Sequence, residues 1–139
     1  MEITANAIQT VASNANVLFT DTVVCGYCSI THRDGSELVT LRGLTNQCSA
    51  RFRVSFGGNI AIPTGGTVGP ISLAIAVDGE AVATTTMIST PAAVEEYQNV
   101  FSAIFLDIPR GCCSQISVRN TSDEPIEIQN ANLIIERVA

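Results

Sequence analysis

Residues 119–139, RNTSDEPIEIQNANLIIERVA, decide the fold class of this chain. Apolar side chains recur at near-alternating positions from just before this stretch to its end, namely Ile116, Val118, Ile126, Ile128, Leu133, Ile135 and Val138. Asn-, Asp- and Pro-rich groups at 120–125 and 130–132 interrupt the alternation. This pattern is typical of short antiparallel strands with one buried face. It predicts an all-β architecture and indicates no chemistry.

The same pattern extends over most of the chain and predicts about ten strands, which indicates a sandwich or jelly roll. The predicted strands lie near 14–20, 23–31, 37–42, 48–57, 71–77, 81–88, 98–107, 113–119, 125–129 and 131–138. Asp78-Gly79 between two apolar runs predicts a type I′ hairpin turn. The one stretch of helical composition is 91–97, with Thr90 as its cap, and it predicts a turn or two of helix within a loop.

Composition limits the function classes. The chain has 139 residues and a formal charge of −6, with 46 % apolar and 14 % charged residues. All seven cations are scattered arginines, so we expect no nucleic-acid partner. The start of the chain lacks the pattern of a signal peptide, and no apolar run has the length of a membrane helix. We therefore expect synthesis in the bacterial cytoplasm, no membrane partner, and exit by another route, such as a particle released by lysis.

Five segments, taken in order, resemble the tumour-necrosis-factor/complement-globular-head jelly roll in its bacterial and phage form. ISLAIAVDGEAVA at 71–83 matches the family's SL-x-L-x-V-N-G hairpin, and NLIIERV at 132–138 is similar to its terminal A-x-L-x-I-x-K/R-I strand. The other three segments are CSARFRVSF at 48–56, FSAIFLDIPRG at 101–111 and ISVRNTS at 116–122. The likeness covers about residues 10–139. The chain departs from the family in its cysteines, its 57–70 loop and the lack of a collagen-like stalk.

The resemblance implies a ten-stranded antiparallel jelly-roll sandwich that assembles as a homotrimer. A chain with this much apolar and this little charged composition independently indicates more apolar surface than a monomer hides. The aromatic candidates for either the monomer core or the subunit interface are Phe52, Phe56, Tyr97, Phe101 and Phe105. For any one of them the two interpretations have equal weight.

The five cysteines, Cys25, Cys28, Cys48, Cys112 and Cys113, form a candidate disulfide or thiol cluster. Cys25-Gly-Tyr-Cys28 has the spacing of a redox motif or half a zinc site, but no helix pattern follows it, and the adjacent Cys112-Cys113 pair is poor for chelation. One or two disulfides, free thiols and a metal site all stay open, and an odd number leaves at least one thiol over. In the inferred jelly roll we expect all five at the end opposite both termini.

No other group of residues predicts catalysis. His32 is the single histidine and lies in a predicted surface turn. The adjacent acids at 95–96 and 123–124 lack the facing geometry of a glycosidase pair. The glycine pairs at 57–58 and 65–66 lack the helix and lysine of a phosphate loop. We expect no enzyme activity, no cofactor and no catalytic metal.

The first functional hypothesis is a structural module on the outside of a phage or prophage virion, as a head decoration or head-fibre protein. Residues 1–12 would attach it to a capsid or other virion protein, and residues 13–139 would form the jelly-roll domain. The alternative is an adhesion module that binds a host glycan or surface protein through its distal loops. A third hypothesis, an enzyme with a cryptic redox or hydrolytic site, would depend on Cys25, Cys28 or His32.

Overall fold

A computed structural model describes residues 1–139 as twelve β-strands and one short 3₁₀ turn. The strands are β1 (Glu2–Ala5), β2 (Gln9–Val11), β3 (Asp21–Val24), β4 (Ile30–His32), β5 (Val39–Arg42), β6 (Ser49–Ala61), β7 (Ile71–Val77), β8 (Glu80–Ala81), β9 (Met87–Ser89), β10 (Gln98–Pro109), β11 (Cys113–Asn120) and β12 (Ile126–Arg137). The 3₁₀ turn is Ala83–Thr85. No helix has the length and apolar content needed to cross a membrane.

The strands form two antiparallel sheets that pack face to face. The first sheet has the order β10-β6-β12-β1-β3, with β2 also paired to β12, and the second has the order β4-β5-β11-β7-β8, with β9 paired to β7. Inward residues of both sheets fill one core, in which the Phe19 and Phe56 rings meet edge to face with centroids 6.4 Å apart. The predicted all-β antiparallel jelly roll is confirmed, with twelve strands rather than ten.

The closing stretch forms one long strand, so the predicted break at 130–132 is wrong. β12 runs from Ile126 to Arg137, and its register to β6 shifts between Gln129 and Asn132. Asn130 has a φ of 56°, so the extra residue is accommodated as a bulge and the strand continues beyond it. β12 is central between β6 and β1, and β7 lies in the opposite sheet.

β6 also continues through a predicted turn. Gly57-Gly58 lies within the strand, and neither glycine has a positive φ. Gly57 pairs with both Phe101 of β10 and Asn132 of β12, so the sheet extends on both sides of it. The loop predicted at 57–70 is therefore shorter and spans 62–70.

The beginning of the chain is more ordered than its sequence indicates. The predicted strand at 14–20 is absent, and within it only Asn16 forms a bridge, to Arg119. The first dozen residues instead supply β1 and β2 to the first sheet. Their role in attachment stays a prediction.

The hairpin prediction is confirmed, while two neighbouring predictions are wrong. Asp78 and Gly79 have φ values of 51° and 87° and connect β7 to β8. The predicted strand at 81–88 is divided by the 3₁₀ turn, where the Thr85 hydroxyl accepts from Ile75 N and donates to Val82 O. The predicted helix at 91–97 is absent, and Glu95 there has a φ of 60°.

Strand directions place the cysteines at the same end as both termini, so the expected polarity is wrong. β1 is antiparallel to β12 and to β3, so Glu2 lies beside Ile134 and Val24, and Cys25 follows Val24 directly. Two differences from the predicted strands account for this: β1 and β2 run in the same direction and add one crossing at the start of the chain, and β12 is one strand where two are predicted. We call this end, with residues 1 and 139 and the loops 25–29, 43–48 and 110–112, the terminal end.

The opposite end carries the loops 62–70, 90–97 and 121–125, and we call it the distal end. The β6–β10 pairing runs from Ser49 opposite Pro109 at the terminal end to Ile60 opposite Gln98 at the distal end. These two strands therefore span the molecule, and the face they carry connects its two ends.

Candidate interaction surfaces

The five aromatic candidates fall into three environments. Phe52 and Phe56 are fully buried in the core of the sandwich. Phe101 and Phe105 project from the first sheet with 63 % and 61 % of their surface exposed. Tyr97 is half-buried at the distal end. The interface interpretation therefore applies to Phe101 and Phe105, while Phe52 and Phe56 belong to the core.

β10 is apolar on both of its faces. Val100, Ile104 and Leu106 are partly buried against the core, and Phe101 and Phe105 point the other way. The strand also forms an edge of the first sheet, so its outer backbone groups have no partner strand within the chain. A long apolar edge strand is the surface that natural proteins cover with another element or another chain.

The outward face of the first sheet extends the apolar surface beyond β10. Its pairing aligns Ala103, Ser55, Ile134, Glu2 and Val24 in one row across the five strands. Ile134 and Val24 are both exposed there. We call the residues Phe101, Ala103, Phe105, Ile134 and Val24 the aromatic face.

Ion pairs border the aromatic face at the terminal end. Arg51 donates from Nε and a terminal guanidinium nitrogen to the two carboxylate oxygens of Asp107, at 2.8 and 3.0 Å. These hydrogen bonds, and then the charge of Arg51, hold the pKa of Asp107 below its ordinary value. Arg53 lies 3.7 Å from Glu136 in the neighbouring strand. Because Arg53 pairs directly with Phe105, the Arg53–Glu136 charges lie beside this ring, and only the Arg51–Asp107 pair lies beyond it.

The cysteines occupy three loops at the terminal end, and backbone hydrogen bonds hold these loops together. Arg42 N donates to Ser29 O at 2.8 Å, Gly43 N to Cys112 O at 2.9 Å and Arg110 N to Cys48 O at 2.9 Å. A Cβ at Gly43 would lie 2.1 Å from Pro109 O, so only glycine permits this contact. All five cysteines are exposed and unpaired with one another. All five thus lie at one end of the molecule, and their state as disulfides or free thiols stays a prediction.

The structure gives the cysteines neither the geometry of a redox motif nor that of a metal site. β4, not a helix, follows the Cys25-Gly-Tyr-Cys28 motif, so a thioredoxin-like arrangement is absent. No three His, Cys, Asp or Glu side chains are arranged as ligands of one metal ion.

His32 is a structural residue rather than a surface-turn residue, so that prediction is wrong. It lies in β4 with its side chain buried. Its Nε2 is 2.9 Å from Ser36 O, and its Nδ1 is 3.3 Å from Thr22 Oγ1. Both ring nitrogens have partners within the fold, and these contacts fix the β4–β5 turn against β3.

Asn120 is a buried polar residue that the sequence presents only as part of a turn. Its side-chain nitrogen donates to Val11 O at 3.0 Å and to Glu124 O at 2.9 Å, and its oxygen accepts from Ser122 N at 3.0 Å. It thereby joins β2 to the 121–125 loop. No local pattern distinguishes such an asparagine from an exposed turn residue.

The distal loops are tied together by a cluster of hydroxyls and carboxylates. Thr64 donates from its backbone N and its hydroxyl to Glu95 at 3.0 and 2.8 Å, and Tyr97 donates to Glu127 at 3.3 Å. The Thr64 hydroxyl lowers the pKa of Glu95, whereas partial burial, followed by its contact with Glu95, raises the pKa of Glu127. Glu95 thus links the 62–70 loop to the 90–97 loop.

Comparisons with known proteins show the fold. No protein-family profile matches the chain, and no curated protein sequence matches it. Among solved structures, an Eiger TNF from S. frugiperda is similar over 100 % of this chain and 92 % of its own, at 12 % identity and a TM-score of 0.70. The globular domain of zebrafish complement 1qA matches over 96 % and 93 %, at 9 % identity and 0.63. Murine APRIL matches over 91 % and 95 %, at 10 % identity and 0.59. The chain therefore has the jelly-roll fold of the tumour-necrosis-factor and complement globular-head domains.

Proposed function

We propose that this chain is a non-enzymatic structural module that works as a homotrimer closed through the aromatic face. The observation that carries this proposal is the exposure of Phe101 and Phe105 on a twelve-residue edge strand. Burying one phenylalanine ring contributes about 1.5–3 kcal/mol, so leaving both in water is unfavourable. A homotrimer is also what the resemblance to this family implies.

A threefold ring requires two different patches on each protomer, because its interface is heterologous. The aromatic face supplies both. The edge at β10 carries Phe101 and Phe105, and the part nearer β3 carries Ile134 and Val24. In the proposed ring, the β10 edge of one protomer packs against the β12–β1–β3 region of the next. The Arg51–Asp107 pair then lies at the rim, and Arg53–Glu136 lies beside Phe105.

We further propose that the trimer is displayed on the outside of a phage or prophage virion, with its terminal end towards the particle. Support comes from the sequence, which resembles the bacterial and phage form of this jelly roll and has only 14 % charged residues. In this orientation the distal loops face away from the particle. The corrected position of the cysteines puts them on the attached side.

Particle association is tested by purifying particles from cells that carry the gene and quantifying this chain against the major capsid protein. The proposal predicts a fixed stoichiometry and antibody labelling of intact particles. F101R/F105R, which cannot trimerise in this account, should be lost from the particles, whereas I88R, at an exposed apolar position of β9, should remain. Recovery of the chain only in the soluble fraction would contradict the virion role and leave the trimer untouched.

Adhesion is a second candidate, favoured by a cleft at the distal end. The cleft has a volume of about 400 Å³ and is lined by Ser72, Thr86, Thr121, Asp123 and Glu124 around the exposed Ile88. Hydroxyls and carboxylates beside an apolar side chain suit a sugar ring, which presents hydroxyls at its edge and C–H groups on its face. Glycan-array binding by the trimer, abolished by T86A/D123N and kept by the 62–70 loop variant T67A, would favour adhesion. Absence of binding to any glycan would contradict it.

A further inference from the structure

The exposure of all five cysteines is unusual for free thiols in a folded domain. Free cysteine is among the most buried residue types and normally behaves as a small apolar core residue. In this chain no cysteine belongs to the core, and each of the five lies in or beside a loop at the terminal end. Packing therefore does not explain their positions, and their chemistry is the remaining explanation.

The cysteines form two groups that strand geometry keeps apart within one protomer. Cys25 and Cys28 lie between β3 and β4, and Cys48, Cys112 and Cys113 lie where β6, β10 and β11 begin or end. In the second sheet β5 separates β4 from β11, so Ile30 and Ser114, which both pair with Leu41, are about 9–10 Å apart. A disulfide requires Cα atoms within about 7 Å, so the strands that carry the 25–28 loop and Cys113 do not by themselves bring the two groups to bonding distance.

The same two groups come together between protomers of the proposed trimer. Val24 immediately precedes Cys25, and Phe105 is in the strand whose terminal turn carries Cys112. Packing the β10 edge of one protomer against the Val24 region of the next aligns their terminal ends. Cys112 and Cys48 of one chain are then beside the 25–28 loop of its neighbour, where Tyr27 is 90 % exposed.

We propose that Cys25 or Cys28 of each protomer forms a disulfide with Cys48, Cys112 or Cys113 of the next, so that the trimer is covalently closed at its terminal end. This inference rests on the proposed trimer. Symmetry supports a link between different cysteines, because three copies of one thiol around a threefold axis cannot all pair with one another. The ring uses two of the five cysteines of each chain and leaves three as thiols.

The chemistry is thiol–disulfide exchange with a small-molecule disulfide, such as oxidised glutathione, as the oxidant. The thiolate of one cysteine attacks the small disulfide, forms a mixed disulfide and releases one small thiol. The thiolate of the neighbouring protomer's cysteine then attacks the mixed disulfide and releases the second small thiol. Each protein disulfide thus oxidises two thiols, and one small disulfide is reduced to two thiols.

The test begins with the full chain in a reducing buffer, where its native mass is measured before oxidation. After exposure to oxidised glutathione and alkylation of the remaining thiols, the mass is measured again under denaturing, non-reducing conditions. We expect a species of three times the 14.6 kDa chain mass, which reductant converts to single chains. C25S/C28S and C48S/C112S/C113S should each keep the native trimer and lose the covalent one.

Peptide mapping identifies the links directly. Cleavage after arginine separates the cysteines into the peptides 1–33, 43–51 and 111–119. In trimers refolded from equal amounts of ¹⁵N-labelled and unlabelled chains, the proposal predicts peptide 1–33 joined to 43–51 or 111–119 with mixed labels. A native trimer that separates into single chains after oxidation would overturn the disulfide proposal and leave the trimer intact. A native monomer in the reducing buffer would overturn the trimer itself, and a ladder of larger covalent species would contradict closure within one trimer.

Discussion

β6 and β10 are neighbours of nearly equal length, and they differ in what their outward residues are. β6 alternates strictly, with Phe52, Val54 and Phe56 inward and Arg51 and Arg53 outward. β10 carries apolar side chains on both faces over 100–106, where the sequence is VFSAIFL. The inner strand β6 therefore presents charge to water, whereas the edge strand presents aromatic rings. The difference supports the proposal that another protomer covers the outward side of β10.

Phe56→Ala should produce the largest loss of stability, because it removes a ring from the inward face of β6, which packs in the core. Phe56 is fully buried against Phe19, and truncation of a buried phenylalanine costs about 3–5 kcal/mol. Urea unfolding in reducing buffer at one fixed protomer concentration measures the change. The control is Ser55→Ala in the same strand, which should change stability by less than about 1 kcal/mol. A loss below about 1 kcal/mol for Phe56→Ala would contradict the assigned core.

F101R/F105R changes the outward face of β10. It should abolish association of the protomers and leave the fold of each protomer intact. Loss of two buried rings removes at least about 3 kcal/mol from association, which raises the dissociation constant at least about 100-fold. The far-ultraviolet circular dichroism should stay that of the wild type, because both side chains project away from the core. Light scattering measures the mass, with I88R as the control that remains trimeric. A variant that stays trimeric would show that another surface makes the interface.

Asp107→Asn tests the charged rim through its pH dependence. The pKa of Asp107 is lowered by the hydrogen bonds from Arg51, so the ionised form is favoured in the folded protein. The resulting stability is fully present above about pH 4, the unfolded value, and is lost as the pH falls through the lower folded pKa. Thermal unfolding from pH 6 to pH 2.5 should show this acid loss in the wild type and a smaller one in the variant. Asp123→Asn, at an exposed loop position, is the control, and identical acid profiles for Asp107→Asn and the wild type would contradict the assignment.

Glu127→Gln tests the distal cluster and should have the smallest effect. The pKa of Glu127 is raised by partial burial and by its contact with Glu95, so folding favours its protonated form. That contribution is present below about pH 4.3, the unfolded value, and is lost as the pH rises through the folded pKa. The variant should therefore gain slightly in thermal midpoint over the wild type at pH 7 and gain nothing at pH 3.5. Glu96→Gln is the control, and a gain of equal size at both pH values would contradict the raised pKa.

The sequence predicts the sandwich architecture correctly, but it does not predict at which end of the sandwich the chain termini lie. Period-two alternation and the Asp78-Gly79 turn identify the sandwich, because inward side chains and positive φ values are local requirements. The bulge at Asn130 and the strand at Gly57-Gly58 were missed, since long-range pairing overrides their turn propensity. The pairing of β1 and β2 with β12 is not predicted for the same reason. Together with the undivided β12, it puts both termini at the cysteine end rather than opposite it.

The sequence contains the residues of the candidate surface, but their composition does not distinguish them from core residues. Five aromatic residues were equal candidates, and only pairing and burial distinguish Phe52 from Phe101. The lack of polar alternation at 100–106 is the pattern that points to β10 as the proposed interface strand once β10 is known to be an edge. His32 and Asn120 could not be placed, because their partners are distant in sequence and only the fold brings them together.

The most direct test of the central claim is the mass of the wild-type chain in solution, measured by light scattering in reducing buffer over a series of dilutions. The exposed aromatic face predicts three times the 14.6 kDa chain mass at micromolar concentration, with dissociation only on further dilution. A monomer at micromolar concentration would contradict the claim that β10 is a subunit interface.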